Sequence, residues 1–108
     1  MIPKVIHYCW FGYHKKPKLI RKCIASWRKY LPGWEIREWN EQNYDVEKNE
    51  YISEAYSQKK WAFVVDFARF DILNQYGGIF LDTDVELKRS FPEEILEYEA
   101  FIGFESEQ

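Results

Sequence analysis

Two carboxylates that follow a short apolar run are the strongest chemical signal in this sequence. The run Ile79–Leu81 leads directly into Asp82-Thr83-Asp84. Ligands of open α/β sheets collect beyond the carboxyl ends of the strands, and two neighbouring carboxylates repel each other unless a cation lies between them. Mg²⁺ and Mn²⁺ combine well with one or two carboxylates and phosphate oxygens. Asp82 and Asp84 therefore predict a metal–phosphate site, with a solvated acidic turn as the simpler interpretation. Thr83 should point away from both, because side chains alternate along an extended chain.

Asp66 and Arg69 form a second pair that could belong to the same site. They lie three residues apart near the start of a predicted helix, so they share one of its faces. A carboxylate can accept hydrogen bonds from sugar hydroxyls, and a guanidinium can neutralise phosphate. We therefore expect a buried Asp66–Arg69 pair beneath the metal–phosphate site. The alternative is an ordinary ion pair on the helix surface.

Three classes of protein compete to explain the acidic cluster. In an EF-hand count, Asp82, Asp84, Glu86 and Glu93 fall at loop positions 1, 3, 5 and 12, but Leu87 stands where the sharp turn needs glycine. A strand before Asp-x-Asp also resembles the first motif of haloacid-dehalogenase-type phosphatases. Those enzymes want Thr or Val in place of Glu86, and the 22 residues after it leave little room for their further motifs. The third class is a nucleotide-sugar transferase.

The elements that must position these residues alternate between strands and helices. This order predicts an α/β fold with a mainly parallel sheet and right-handed crossovers. Apolar residues at helical spacing predict two core stripes, which are Leu19, Cys23, Ile24, Trp27 and Leu31 in the first helix and Ala62, Val65, Ala68 or Arg69, Ile72 and Tyr76 in the second. The predicted strands are 4–10, 34–39, 79–81 and 100–104, with an extended piece at 85–88; the predicted helices are 17–30, 59–76 and a short one from Pro92, with 40–49 as a loop or short helix.

Length and composition exclude disordered proteins, membrane-spanning proteins and small secreted proteins held by disulfides. The chain has 108 residues, of which 46% are hydrophobic and 31% charged, so it can bury the core of one domain and is not of the disordered class. No apolar run approaches the roughly 20 residues that a membrane span needs. Cys9 and Cys23 are expected to be reduced core residues, and zinc has too few ligands around His7, Cys9 and His14. We expect a cytoplasmic protein.

The charge is distributed unevenly along the chain. Residues 1–40 carry nine Lys and Arg against two Glu, whereas residues 82–108 carry two against nine acidic residues. Complementarity between two halves of one fold is the favoured explanation, and no motif or overall basic charge points to nucleic acid. A basic run could meet anionic lipid at the inner face of the membrane, although a solvated helix face is favoured. The run consists of Lys15, Lys16, Lys18, Arg21 and Lys22.

Five segments, in order, resemble family 32 glycosyltransferases, the capsular-polysaccharide and mannosyltransferase-like enzymes with an Asp-x-Asp sugar-binding region. The segment IPKVIHYCWFG at 2–12 is similar to the opening of that family, and YGGIFLDTDVE at 76–86 is similar to its Asp-x-Asp strand. Further similarity lies at 26–36, at AFVVDFAR (62–69) and at 101–105. One departure is Val65, where the family has Ser. The resemblance covers nearly the whole chain.

The resemblance implies a GT-A-type, Rossmann-like fold that is incomplete here, a nucleotide-diphosphate-sugar donor, and Mn²⁺ or Mg²⁺. Trp10 would stack on the nucleobase, and Asp66 and Arg69 would hold the donor sugar and diphosphate. Asp82 would contact ribose or sugar, and Asp84 would hold the metal. Asp82, Asp84 and Arg69 would be the catalytic residues.

Two functions are consistent with these residues. The first is a metal-dependent glycosyltransferase of capsular or surface polysaccharide synthesis, with a glycan or lipid-linked acceptor. The second is a non-catalytic domain that binds nucleotide sugar or serves assembly. Residues 1–108 would form one domain, the donor-binding half of the transferase, because members of the resembled family are longer. Such a half would expose apolar surface, so we expect self-association.

Overall fold

Among the residues that the structure describes, four parallel strands form one sheet, in which the first strand lies between the second and third. The structure, a computed structural model, describes residues 2–91 and 100–101. The strand order is β2-β1-β3-β4, and every pair is parallel. The predicted mainly parallel α/β sheet is thereby confirmed, as an open, partial Rossmann-like arrangement. The elements are β1 (Val5–Cys9), α1 (Lys18–Tyr30), β2 (Glu35–Trp39), α2 (Glu50–Ser57), α3 (Trp61–Tyr76), β3 (Gly78–Phe80) and β4 (Ala100–Phe101).

The strand register brings the predicted site residues to one edge of the sheet. Ile6 pairs with Ile79 and His7 with Phe80, and the amide of Leu81 donates to the carbonyl oxygen of His7 at 3.0 Å. Strand pairing therefore continues up to the residue before Asp82. Because the strands are parallel, the chain leaves β1 and β3 at the same edge.

Helices cover both faces of the sheet. Ile6 and Tyr8 pack on the α1 side with Trp27, and Cys9 packs with α2 and α3 on the other side. Successive strand residues point to opposite faces, which explains the division. The continuous burial of β1, from Val5 to Cys9, is typical of a strand covered on both faces.

The observed elements differ from the predicted ones at two places. Helix α2 was not predicted; it begins after Asn49, whose side chain accepts from the amide of Ile52 at 3.0 Å, a helix cap that the sequence pattern did not single out. No strand forms at 85–88, because Val85 closes a turn by donating to the carbonyl oxygen of Asp82 at 3.1 Å. The predicted helix from Pro92 and residues 102–104 of the last predicted strand lie outside the described residues.

The predicted core stripe of α3 is wrong for two of its members, Ala62 and Tyr76, which are exposed. Val65 is half-buried and packs against the core. The fully buried residues of the helix are Val64, Ala68, Ile72 and Leu73. This helix is apolar on more than one side, so periodicity alone did not distinguish the side facing the sheet. The α1 stripe is confirmed except for Leu19, which is 62% exposed.

His7 is a fully buried polar residue of β1 that forms hydrogen bonds to β2 and to the end of α3. The Nε1 of Trp39 donates to its Nδ1 at 3.0 Å, and its Nε2 lies 2.9 Å from the carbonyl oxygen of Gly77. Because an indole N–H can only donate, the imidazole proton is on Nε2, which donates to Gly77. Both ring nitrogens are thus satisfied by a neutral ring, and burial lowers the pKa of His7.

We expect the free energy of unfolding to fall as the pH falls below about 6.5. The unfolded chain protonates His7 near its ordinary pKa of 6.5, whereas the folded chain protonates it only at lower pH. The unfolded state therefore binds more protons in this window and gains stability as the pH drops. Urea unfolding at pH 7.5 and 5.5 measures the loss. His7→Gln should reduce it, and His14→Gln, at an exposed position, should retain it; equal losses in both variants would contradict the assignment.

Candidate functional site

A cavity of about 560 Å³ opens at the edge of the sheet where β1 and β3 end. This volume lies within the range of small-molecule sites in proteins. Acidic and basic groups lie around the end of β3 and on α3, and aromatic rings lie around the end of β1 and the start of α3. All five residues predicted for the site line the cavity: Trp10, Asp66, Arg69, Asp82 and Asp84.

Arg69 forms an ion pair across the cavity with Asp82. Its Nη2 lies 2.5 Å from Oδ1 of Asp82, and its side chain is only 18% exposed. The guanidinium carbon also lies 5.1 Å from the centre of the Phe80 ring. The expected buried pair of Asp66 with Arg69 is therefore wrong. Asp66 is exposed on the helix, whereas Arg69 reaches from α3 to the end of β3.

One nitrogen of the Arg69 guanidinium is buried. Its Nε has no hydrogen-bond partner among residues 2–91 and 100–101. Buried polar groups are nearly always hydrogen-bonded, so each exception calls for an explanation. A guanidinium presents its N–H groups in a fork that suits carboxylate and phosphate. An anion in the cavity would supply the missing acceptor.

Asp82, Thr83 and Asp84 form a turn rather than an extended segment. All three residues line the cavity, and the extended chain on which the expectation for Thr83 was based is not present. The turn is anchored to α1, because Nε1 of Trp27 donates to the carbonyl oxygen of Val85 at 2.8 Å. A second anchor is the amide of Leu87, which donates to the hydroxyl of Ser26, also at 2.8 Å.

Aromatic rings form the other wall of the cavity. Trp10 is half-buried, and its Nε1 donates to the carbonyl oxygen of His14 at 2.7 Å. The ring of His14 lies edge-on to Trp61, with centroids 5.9 Å apart. Sequence reasoning missed Trp61 and assigned no binding role to His14. Trp61 lies four residues before Val65 and eight before Arg69, so the helix face that carries Arg69 could have included it.

The carboxylates of Asp82 and Asp84 can hold a divalent cation only when a bound ligand supplies further oxygen atoms. Asp84 is exposed, and one oxygen of Asp82 is bonded to Arg69. Within the described part of the chain, no group of three or more His, Cys, Asp or Glu residues could hold a metal ion. Mg²⁺ is commonly bound by one or two carboxylates together with substrate phosphates. Asp84 could hold such an ion jointly with a diphosphate.

The thiol of Cys9 lines the cavity but is not poised for chemistry. Burial raises its pKa, which favours the unreactive thiol over the thiolate. Cys9 and Cys23 are both free and buried, as predicted. Among the described helices, none is long and apolar enough to cross a lipid bilayer.

Comparisons with known proteins give a matching family model and a distantly related protein. A family model described as capsular polysaccharide synthesis protein matches residues 1–108. An uncharacterized glycosyltransferase of Acanthamoeba polyphaga mimivirus is 34% identical over 96 residues, which cover 83% of this chain. The chain spans 38% of the length of that relative. No solved structure shows significant similarity to this chain.

Proposed function

The chain belongs to the capsular polysaccharide synthesis protein family, and we propose that it is the donor-binding part of a glycosyltransferase. The reaction would move a sugar from a nucleotide-diphosphate sugar to a glycan or lipid-linked acceptor, in the manner of family 32 enzymes. The observation that carries the proposal is the cavity itself. The cavity brings together an aromatic wall, a partly buried arginine and two carboxylates. These groups can bind a nucleobase, a diphosphate and a divalent cation, respectively.

Each residue has a role that its position supports. Arg69 would donate from its buried Nε to a phosphate oxygen, while Asp82 holds the guanidinium in place through Nη2. Asp66, exposed on α3 above the cavity, can accept hydrogen bonds from sugar hydroxyls. Trp10 offers a flat ring for the nucleobase. Asp84 would share a divalent cation with the diphosphate.

The reaction requires that negative charge on the leaving group be stabilised. As the bond between sugar and phosphate breaks, negative charge grows on the departing nucleoside diphosphate, and the sugar passes through an oxocarbenium-like state. A bound divalent cation supplies electrostatic stabilisation of that leaving group. Arg69 adds a second positive group, and because it is already fixed by Asp82 it needs little reorganisation during the reaction.

Calorimetric titration with uridine- and guanosine-diphosphate sugars, with and without Mn²⁺, tests the proposal. We expect weak binding that the metal strengthens, and we expect Asp84→Ala to abolish that strengthening. Glu86→Ala is the matched control, since Glu86 is an exposed carboxylate two residues away that does not line the cavity. Metal-independent binding, or an unaffected Asp84→Ala variant, would contradict the role of Asp84.

A non-catalytic nucleotide-sugar-binding domain is the second candidate. The observation in its favour is that an aromatic wall, an arginine and two carboxylates line the cavity, and these groups can bind a nucleotide sugar without further chemistry. Release of free nucleoside diphosphate from a bound donor would identify the transferase. Binding without release, under conditions in which the metal and an acceptor glycan are supplied, would identify the binding domain.

A further inference from the structure

The loop between β1 and α1 has a conformation that needs support. Gly12 has φ +94° and Tyr13 has φ +60°, and a left-handed conformation costs a non-glycine residue about 1–2 kcal/mol. The loop also passes close to other groups. A Cβ added to Gly12 would lie 2.8 Å from the ring of His14 and 2.9 Å from that of Trp61. Something outside the loop must hold it in this position.

Glu41 provides that support from a different part of the chain. The amide of Gly12 donates to its Oε2 at 2.5 Å, and the hydroxyl of Tyr56 donates to the same oxygen at 2.7 Å. One carboxylate thus joins the β1–α1 loop, the segment after β2, and helix α2. Hydrogen bonds to a carboxylate are stronger than neutral ones. The bond from Tyr56 to Glu41 is also the main reason that the pKa of Tyr56 rises to about 12.

The supported loop also contacts the side chain of Trp10. The indole of Trp10 donates to the carbonyl oxygen of His14, and the ring of His14 rests edge-on against Trp61. Glu41 does not line the cavity, so it reaches the Trp10 ring through Gly12 and the loop. Its other partner, Tyr56, contacts the ring of Trp61. A shift of the loop would move the His14 carbonyl and, with it, the Trp10 ring.

We propose that Glu41 is a positioning residue, which fixes the β1–α1 loop and thereby the Trp10 ring for binding of a nucleoside diphosphate. The binding part of this inference rests on the proposed function. The positioning part rests only on three hydrogen bonds: those from Gly12 and Tyr56 to Glu41, and that from Trp10 to His14.

Hydrogen exchange measured by NMR tests the positioning part without any ligand. In Glu41→Ala, we expect the Gly12 amide and the Trp10 indole N–H to exchange at least tenfold faster. Glu41→Gln keeps an oxygen acceptor in the same place and should restore most of the protection. Asp45→Ala is the matched control, because Asp45 is a carboxylate of the same segment whose side chain accepts from the nearby amide of Glu47. Thermal unfolding of all three variants shows whether they fold.

The binding part is tested with UDP and GDP as probes in the presence of Mn²⁺. We expect Glu41→Ala to weaken their affinity at least fivefold and Asp45→Ala to leave it unchanged. Unchanged exchange, equal effects of Asp45→Ala, or faster exchange with unchanged affinity would each overturn the inference. If the unaltered chain binds neither nucleotide, the proposed function fails, and the exchange comparison alone then decides whether Glu41 positions Trp10.

Discussion

Replacing Arg69 with lysine is expected to lower kcat/KM for nucleoside diphosphate release at least about a hundredfold, or about 2.7 kcal/mol. Lysine keeps the positive charge but has a compact ammonium group instead of a planar fork. In the structure Arg69 bonds Asp82 through Nη2 while its buried Nε has no partner among the described residues. Lysine cannot hold Asp82 and direct a second fixed donor to a phosphate in the same geometry.

Two variants make this prediction specific. Arg21→Lys changes an exposed arginine of α1 that does not line the cavity, so it should leave kcat/KM unchanged. Asp82→Asn keeps an oxygen acceptor for Arg69 but removes the charge, and combining it with Arg69→Lys gives a double-mutant cycle. We expect the two effects to be non-additive, since the residues are in contact. Additive effects, or an Arg69→Lys variant with near-normal kcat/KM, would contradict a shared role.

The sheet was predictable because its signals are local. Apolar runs such as Lys4–Trp10 are short and rich in β-branched and aromatic residues, and they are separated by a helical pattern, which predicts parallel pairing. Helix α2 was missed because it has only two buried residues, Ile52 and Ala55, and so leaves a weak periodic signal. The buried side of α3 was missed because this helix is apolar on more than one side.

The membership of the cavity was predictable, but its contacts were not. Trp10, Asp66, Arg69, Asp82 and Asp84 lie together because the carboxyl ends of parallel strands meet at one edge. Spacing along a helix suggested Asp66 as the partner of Arg69, whereas the Arg69 side chain pairs with Asp82, which follows β3.

Support from distant segments is likewise invisible in the sequence. Glu41 lies 29 residues from Gly12, and nothing in the neighbouring sequence distinguishes it from the other acidic residues of the chain.

Trp27→Ala is expected to lower the free energy of unfolding by about 3–5 kcal/mol, the range for removing a large buried aromatic side chain. Trp27 is completely buried between α1 and the sheet, in contact with the ring of Tyr8. Small domains have a total stability of about 5–15 kcal/mol, so the loss would unfold a marginal protein. Urea unfolding measures it. Trp34→Ala, at a half-buried tryptophan on the same side of the sheet, should cost clearly less.

Trp27→Phe separates packing from the hydrogen bond that anchors the acidic turn. Phenylalanine fills much of the same space, but it leaves the carbonyl oxygen of Val85 without the donor that it has at 2.8 Å. An unsatisfied buried acceptor costs about 1–3 kcal/mol. Because Val85 directly follows Asp84, loss of this anchor should also weaken the Mn²⁺-dependent binding of nucleotide sugars by the folded variant. A Trp27→Phe variant with reduced stability but unchanged metal-dependent affinity would show that the tryptophan serves the core alone.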